Sequence, residues 1–243
     1  MCIFSVFAEM RTRQGETMTT YFELINQTLT ELSYRTVSDF SQLVKPDHER
    51  IKMIVNRVNN IVLDSYDWDF LKRSKTVTLT ANNDRAELPD DLKINHVIDD
   101  RGSVYVFTDE YMRILNGRSF NGQYTVFDGK IIVRPQDYDR VFTICHITKN
   151  HAKTAGGTEK FNLETGTDET LLPPEYAPII VFGACMQFKS NPEHPRYKYW
   201  LKQYTDTRAA MRAAHSTPPP QPPKFVLPDW TVGIDRYRQK MGW

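Results

Sequence analysis

The hydrophobic period of this chain changes twice, and those two switches restrict what it can fold into more than any motif does. Ile51, Ile54, Val55, Val58, Ile61 and Val62 recur at helical spacing. They predict a helix that opens at Pro46 and Asp47, with Asp47 as its cap, and runs to about Tyr66. Soon after, TVTLTAN alternates strictly, with Val77 and Leu79 directed inward, as in a half-buried strand. Helical spacing returns only after Pro173-Pro174.

The remaining elements follow from the same signals. A first helix spans Tyr21 to about Ser33, with Phe22, Ile25, Leu29 and Leu32 on one face and Thr19 or Thr20 as N-cap ahead of Glu23. YRTVSDFSQLV reads as a connector, and Trp68, Phe70 and Leu71 as a core plug where helices give way to strands. Short strands are expected on each side of Pro89, in SVYVFT and in VFTICHITKN, with a short helix in DEYMRILNG. YTVFDGKIIVRP predicts a hairpin turning at Asp128-Gly129, because both turn residues tolerate positive φ. Residues 151–171 are polar and without period, and read as a long loop or extended hairpin around Gly156-Gly157. YAPIIVFGACMQFK is apolar nearly all round, hence a helix covered on every side. Ser190 to Pro195 breaks it, and a last helix places Tyr197, Trp200, Leu201, Tyr204 and Met211 on one stripe.

The expected fold class is therefore α+β: a helical bundle of about four helices with an inserted β-rich subdomain and an extended C-terminal arm. The boundaries are 1–18 for an N-terminal extension, 19–75 for helices 1–2, 76–172 for the β-rich insertion with its long polar loop, 173–215 for helices 3–4, and 216–243 for the arm.

Composition bounds the function. The formal net charge is +1, so no basic excess recruits nucleic acid or an acidic membrane surface. No apolar run approaches the length of a membrane span. Cys2, Cys145 and Cys185 are widely spaced and contain no CxxC, which suits small buried hydrophobes rather than a disulfide framework. Neither GxGxxG nor GxxxxGK[ST] occurs, and TAGGTEK reads as a flexible loop. Cys145, His146 and His151 form the one metal-like cluster, but neighbours on a strand point to opposite faces and do not chelate together. The acidic pairs Asp90-Asp91, Asp99-Asp100 and Asp67 with Asp69 fall in turn-like stretches, where Asp serves local backbone bonding. No catalytic residue, metal ligand or cofactor is assigned.

The last stretch, 216–243, carries five prolines between Pro218 and Pro223 and then Phe225, Val226, Leu227, Trp230, Tyr237 and Trp243. Disordered tails are poor in large aromatics, and proline-stiffened segments lose little entropy on docking. Those six residues are the expected contacts of an arm that grips another surface, with RYRQK adding positive charge beside them.

YFELINQTLTELSYRTVSDF, HERIKMIVNRVNNIVLDSYDWDFL, the TVTLT strand, LPPEYAPIIVFGACMQF and YWLKQYTDTRAAM, taken in order over roughly residues 19–215, resemble the head-to-tail adaptors of tailed bacteriophages. That group includes tail tubular protein A and related head-completion or neck proteins. The resemblance implies a homo-oligomeric ring, commonly a dodecamer, beneath the portal protein, with a tail tube or nozzle protein on its other side. It implies double-stranded DNA passing through, a place in the virion neck after assembly in the host cytoplasm, no membrane, and an arm laid on the portal or a neighbouring subunit. The polar stretch 151–171 and the N-terminal extension depart from the family pattern. Two other classes compete: a tail-associated peptidoglycan hydrolase, which would draw on Glu175 or Asp168, and a monomeric binding module that uses the proline-rich arm as its ligand.

Overall fold

Each end of helix α1 (Tyr21–Glu31) is closed by its own sequence. The Glu23 N–H donates to Thr20 Oγ1, and the Thr20 N–H donates back to Glu23 Oε2, so Thr20 and Glu23 form a capping box. At the other end Ser33 takes φ 62°, and the N–H groups of Ser33 and Tyr34 donate to the carbonyls of Thr30 and Leu29. That is a Schellman closure with serine where glycine is usual. The buried face is Tyr21, Leu24, Ile25, Thr28 and Leu29, while Phe22 and Leu32 flank it.

The computed structural model describes residues 19–88, 93–108 and 122–215. The N-terminal extension, Pro89 with Asp90-Asp91, the whole of the short helix expected in DEYMRILNG, and the arm with Phe225, Val226, Leu227, Trp230, Tyr237 and Trp243 lie outside them.

Helix α2 (Pro46–Asp64) begins one residue earlier than its expected cap: Lys45 is the N-cap, Pro46 fills the first turn, and Asp47 and Glu49 oppose the helix dipole without capping. Helix α3 (Pro178–Phe188) is the central rod, packed on α1, α2 and α4 (Tyr197–His215). The plug forms as expected. Trp68 is fully buried and donates from Nε1 to the carbonyl of Val62 at 3.0 Å, and its ring stacks on Phe70.

The strands are β1 (Lys72–Leu79), β2 (Arg85–Glu87), β3 (Lys93–Asp99), β4 (Val104–Phe107), β5 (Gln123–Phe127), β6 (Lys130–Val133), β7 (Arg140–Ile147), β8 (Ala152–Lys153), β9 (Glu159–Lys160) and β10 (Glu169–Thr170). The first seven form one mixed sheet in the order β1-β7-β3-β4-β5-β6-β2, with β4 and β5 parallel and the other pairs antiparallel. Its end strands β1 and β2 come back into contact, so the sheet is barrel-like and nearly closed. The hairpin at Asp128-Gly129 has positive φ at both positions, as its sequence requires.

The expectation of a helical bundle carrying an inserted β-rich subdomain is corrected by this topology. The seven-stranded sheet is a large, nearly closed unit in its own right, with its own core of Val77, Leu79, Val97, Tyr124, Ile131, Phe142 and Ile144. The helices come from the two ends of the described chain and form a layer beside it. Period-2 patterning identifies strands one at a time. It does not reveal that β1 pairs with β7 along its whole length, and so it understates a sheet built from long-range pairs.

Residues 151–171 take the extended-hairpin form of their expected reading: β8 and β9 pair antiparallel around Gly157 with φ +84°, and β10 adds a third strand to make a second sheet, β10-β8-β9. It supplies Ala152, Leu163 and Leu171 to the helical core, along with Leu172 just after it. An isolated bridge pairs Thr20 with Glu169, and the Tyr21 N–H donates to the Asp168 carbonyl at 2.7 Å, which sews α1 to this small sheet.

Candidate docking site

Gly183 sits in the middle of α3, where the sequence is otherwise apolar nearly all round. A Cβ placed there would lie 2.7 Å from Val58 Cγ1 and 3.2 Å from Tyr204 Cε2. The missing side chain lets α2 and α4 close over α3, and their outer walls then bound a groove of about 460 Å³. Val58 and Gly183 form part of its lining, with Ile61, Met186, Leu201 and Tyr204. Ile61 and Leu201 are each 44% exposed, although both fall on stripes whose spacing marks them as core. This is the best candidate site among the described residues: apolar, concave, and built on rigid helices.

Exposed apolar side chains also lie on the sheet: Val104, Val106 and Phe107 of β4 and Val126 and Phe127 of β5. Alternation sends Val104 and Val106 to the opposite face from Phe107, and Val126 to the opposite face from Phe127, so the five do not make one patch.

The polar groups of the molecule are mostly committed to holding it together. His151, 1% exposed, lies between α2 and the small sheet. Its Nδ1 is 3.1 Å from Asn60 Oδ1 and its Nε2 is 3.1 Å from Asp64 Oδ1. Asn59 Nδ2 donates to the His151 carbonyl, and the Thr170 hydroxyl donates to Asn59 Oδ1 at 2.6 Å. Burial pushes the His151 pKa below its usual 6.5, and the Asp64 carboxylate opposes that without reversing it.

Asp168, one of the two carboxylates a hydrolase reading would use, is 1% exposed. It accepts from the N–H groups of Glu164 and Thr165, each at 2.6 Å, from the Thr165 hydroxyl at 2.8 Å, and from Lys160 Nζ at 2.6 Å. Burial alone would raise its pKa, but the Lys160 ammonium and these donors outweigh burial and bring it to about 2. A carboxylate so acidic and so fully engaged is no general acid at neutral pH. Glu175 is exposed in the short 3₁₀ turn Pro174–Tyr176 that precedes α3.

A polar cleft of about 570 Å³ opens where the helical layer meets the sheet, lined by Asp64, Tyr66, Asp67, Lys72, Asn95 and His96 beside a register shift in β3. Among the described residues no group of three or more His, Cys, Asp or Glu side chains is placed to hold a metal ion. Cys145 is half-buried and His146 buried as neighbours on β7, while both ring nitrogens of His151 are taken up by Asn60 and Asp64. Cys185 is a buried thiol on α3 whose pKa burial pushes up to about 12, so it packs as a small hydrophobe. Among the described residues no helix is long and apolar enough to cross a membrane.

The arm residues singled out by sequence lie outside the described residues, and the groove was not foreseen from sequence. The one available signal was Gly183, an isolated glycine in an apolar helix, which points to close packing of a neighbour. The Asn59, Asn60 and His151 network left no sequence signal, because its members lie in an otherwise apolar helix and in a stretch without period.

A scan against protein-family models and a search among curated proteins return no match to this chain.

Proposed function

We propose that this protein is a structural subunit of a bacteriophage neck, a head-to-tail adaptor that assembles as a ring between portal protein and tail. The observation that carries the reading is the open apolar groove on the helical layer of a chain whose last residues hold six large apolar side chains. The ordered resemblance over roughly residues 19–215 supplies the identity of the assembly. The sheet, with exposed Val104 and Val106 on one face of β4, offers a surface distinct from the helical one, as a subunit with a partner on each side needs. In this reading the helical layer meets the portal and the sheet meets the tail component, and the near-zero net charge suits a passage that DNA crosses without salt-dependent retention.

The test is electron microscopy of the purified protein with its cognate portal protein, alongside a variant lacking residues 216–243. Rings or portal complexes are expected from the full chain. The truncated form is expected to melt within about 1 °C of the parent, as for a change away from any core, and to dock poorly. A chain that stays monomeric beside the portal refutes the reading, and lysis on a peptidoglycan zymogram would put the hydrolase in its place.

A further inference from the structure

We infer that His151, Asn60 and Asn162 form a proton-read relay: the charge state of one buried imidazole sets which way two amides point, and carries the result to the surface beside Phe161. The relay is a property of the fold. It goes beyond the adaptor reading and does not depend on it.

Helix α2 carries Asn56, Asn59, Asn60 and Asp64 at helical spacing, and all four meet the small sheet or the residues that join its strands. Asn56 Oδ1 accepts from the Leu163 N–H at 3.0 Å, and Asn59 Nδ2 donates to the His151 carbonyl at 3.2 Å. A backbone N–H and a backbone carbonyl cannot exchange roles, so those two amides each have one orientation. Asn60 has no such anchor. Its Oδ1 lies 3.1 Å from His151 Nδ1, and its Nδ2 donates to Asn162 Oδ1 at 2.9 Å. On the other side of the ring, His151 Nε2 lies 3.1 Å from Asp64 Oδ1.

Both ring nitrogens therefore face oxygen. That suits an imidazolium, which donates from both, whereas a neutral ring has one N–H and sets a lone pair against one of the oxygens. Only one side can relieve the conflict. A carboxylate is acceptor-only, while a half-turn of the Asn60 amide brings its Nδ2 to the ring. The neutral ring keeps its proton on Nε2 for Asp64, the charged and stronger acceptor, and Asn60 turns over to donate to Nδ1. Asn60 then offers Oδ1 to Asn162, which turns over as well and donates from Nδ2.

Asp64 from α2 is the charged group against the ring. From β9 and the residue after it come the Lys160 carbonyl, which accepts from the His151 N–H, and the Phe161 ring at 4.8 Å, while the Lys160 ammonium is held by Glu164 and Asp168. From the end of β10 the Leu171 N–H donates to the His151 carbonyl. Burial holds the His151 pKa below 6.5 against the pull of Asp64, so the neutral polarity is present at physiological pH and the imidazolium polarity is reached in acid. Asn162 is half-buried and Phe161 is 49% exposed. The half of the Asn162 amide turned away from Asn60 is thus an acceptor at neutral pH and a donor in acid. A partner that hydrogen-bonds there is discriminated by pH, although the titrating ring is out of reach of solvent.

The experiment follows the full chain, with 15N-labelled histidine and asparagine, by NMR from pH 8 to pH 5, the His151 and Asn162 signals being identified by their loss in His151→Gln and Asn162→Ser. At pH 8 the His151 ring is expected as the Nε2–H tautomer, and the Asn162 amide signals should move with the same midpoint as the ring. In Asn60→Ala the ring should still titrate while Asn162 stays unmoved. The Nδ1–H tautomer at pH 8, an Asn162 signal that ignores the His151 transition, or one that still follows it in Asn60→Ala overturns the inference. Asn60→Asp keeps the fold's geometry but places an acceptor that cannot turn over at Nδ1, and is expected to raise the His151 midpoint by about one pH unit. An unchanged midpoint in that variant also overturns the inference, whatever becomes of Asn60→Ala.

Discussion

Replacing Asp168 with asparagine tests whether residues 151–171 are structural or merely a polar excursion. The wild-type carboxylate accepts four hydrogen bonds, one from the Lys160 ammonium, at a site 1% exposed. Asparagine keeps the size, loses the charge, and turns an amide NH₂ toward donors. A carboxyl whose pKa falls from 3.8 to about 2 on folding gains about 2 kcal/mol of stability near neutral pH. Solvent at the Lys160 end reduces that toward about 1 kcal/mol. Leaving a buried donor without its acceptor adds about 1–3 kcal/mol. The sum, about 2–4 kcal/mol, corresponds to a fall in melting temperature of roughly 5–15 °C for a chain of this size.

The sign with pH is fixed by the direction of the shift. A lowered carboxyl pKa stabilises the fold above about pH 3.8, and that contribution disappears as pH falls toward about 2. Thermal melts of wild type and Asp168→Asn between pH 7 and pH 3 should therefore show a gap that is widest at neutral pH and narrows below pH 4. A gap under about 1 °C at pH 7, against the several degrees expected, refutes the assignment. So does a gap that stays constant into acid.

Two further outcomes follow from the helical layer. Gly183→Ala gains about 1 kcal/mol of helix propensity but meets Val58 and Tyr204, and overpacking of about 1–3 kcal/mol wins, so the variant is destabilised. A double-mutant cycle with Val58→Ala in chemical denaturation should show the pair costing less than the sum of the singles. His151, its pKa lowered by burial, takes up its proton at lower pH in the fold than in the unfolded chain, so stability should decline as pH drops below about 6.5. His151→Gln should be less stable at pH 8 and lose that decline, as read from denaturant midpoints at pH 8, 6.5 and 5.5.

The elements legible in the sequence are those whose reason for forming is local. The capping box at Thr20 and Glu23, the stripe of α2, the alternation of β1 and the Asp128-Gly129 hairpin depend on neighbours a few residues apart, and each forms at the expected place. The closed course of the seven-stranded sheet depends on which strands meet, and β1 with β7 spans most of the insertion. Hydropathy carries no address for a partner strand. The hairpin alternative for residues 151–171 is borne out by β8 and β9, but the burial of its polar groups is hidden for a different reason. Thr170, His151 and Asp168 look like solvent-facing residues by type, yet all three are buried, because each polar group finds a partner inside the protein. Burial of a polar side chain is costly only when it is left unsatisfied, and satisfaction is a property of the fold.

The same distinction governs the candidate site. Spacing put Ile61 and Leu201 on the apolar faces of their helices, and the physics behind that reading is sound: both side chains gain by leaving water. Periodicity states that a residue seeks cover. It does not state that the cover comes from the same chain. In α2 and α4 most of each stripe is covered by α3, and the glycine that brings the helices together leaves the outermost members, Ile61 and Leu201, standing at the rim of an open groove. A stripe that overshoots its own core by one residue on each of two helices therefore leaves apolar side chains at the surface of the described residues, which the spacing alone does not reveal.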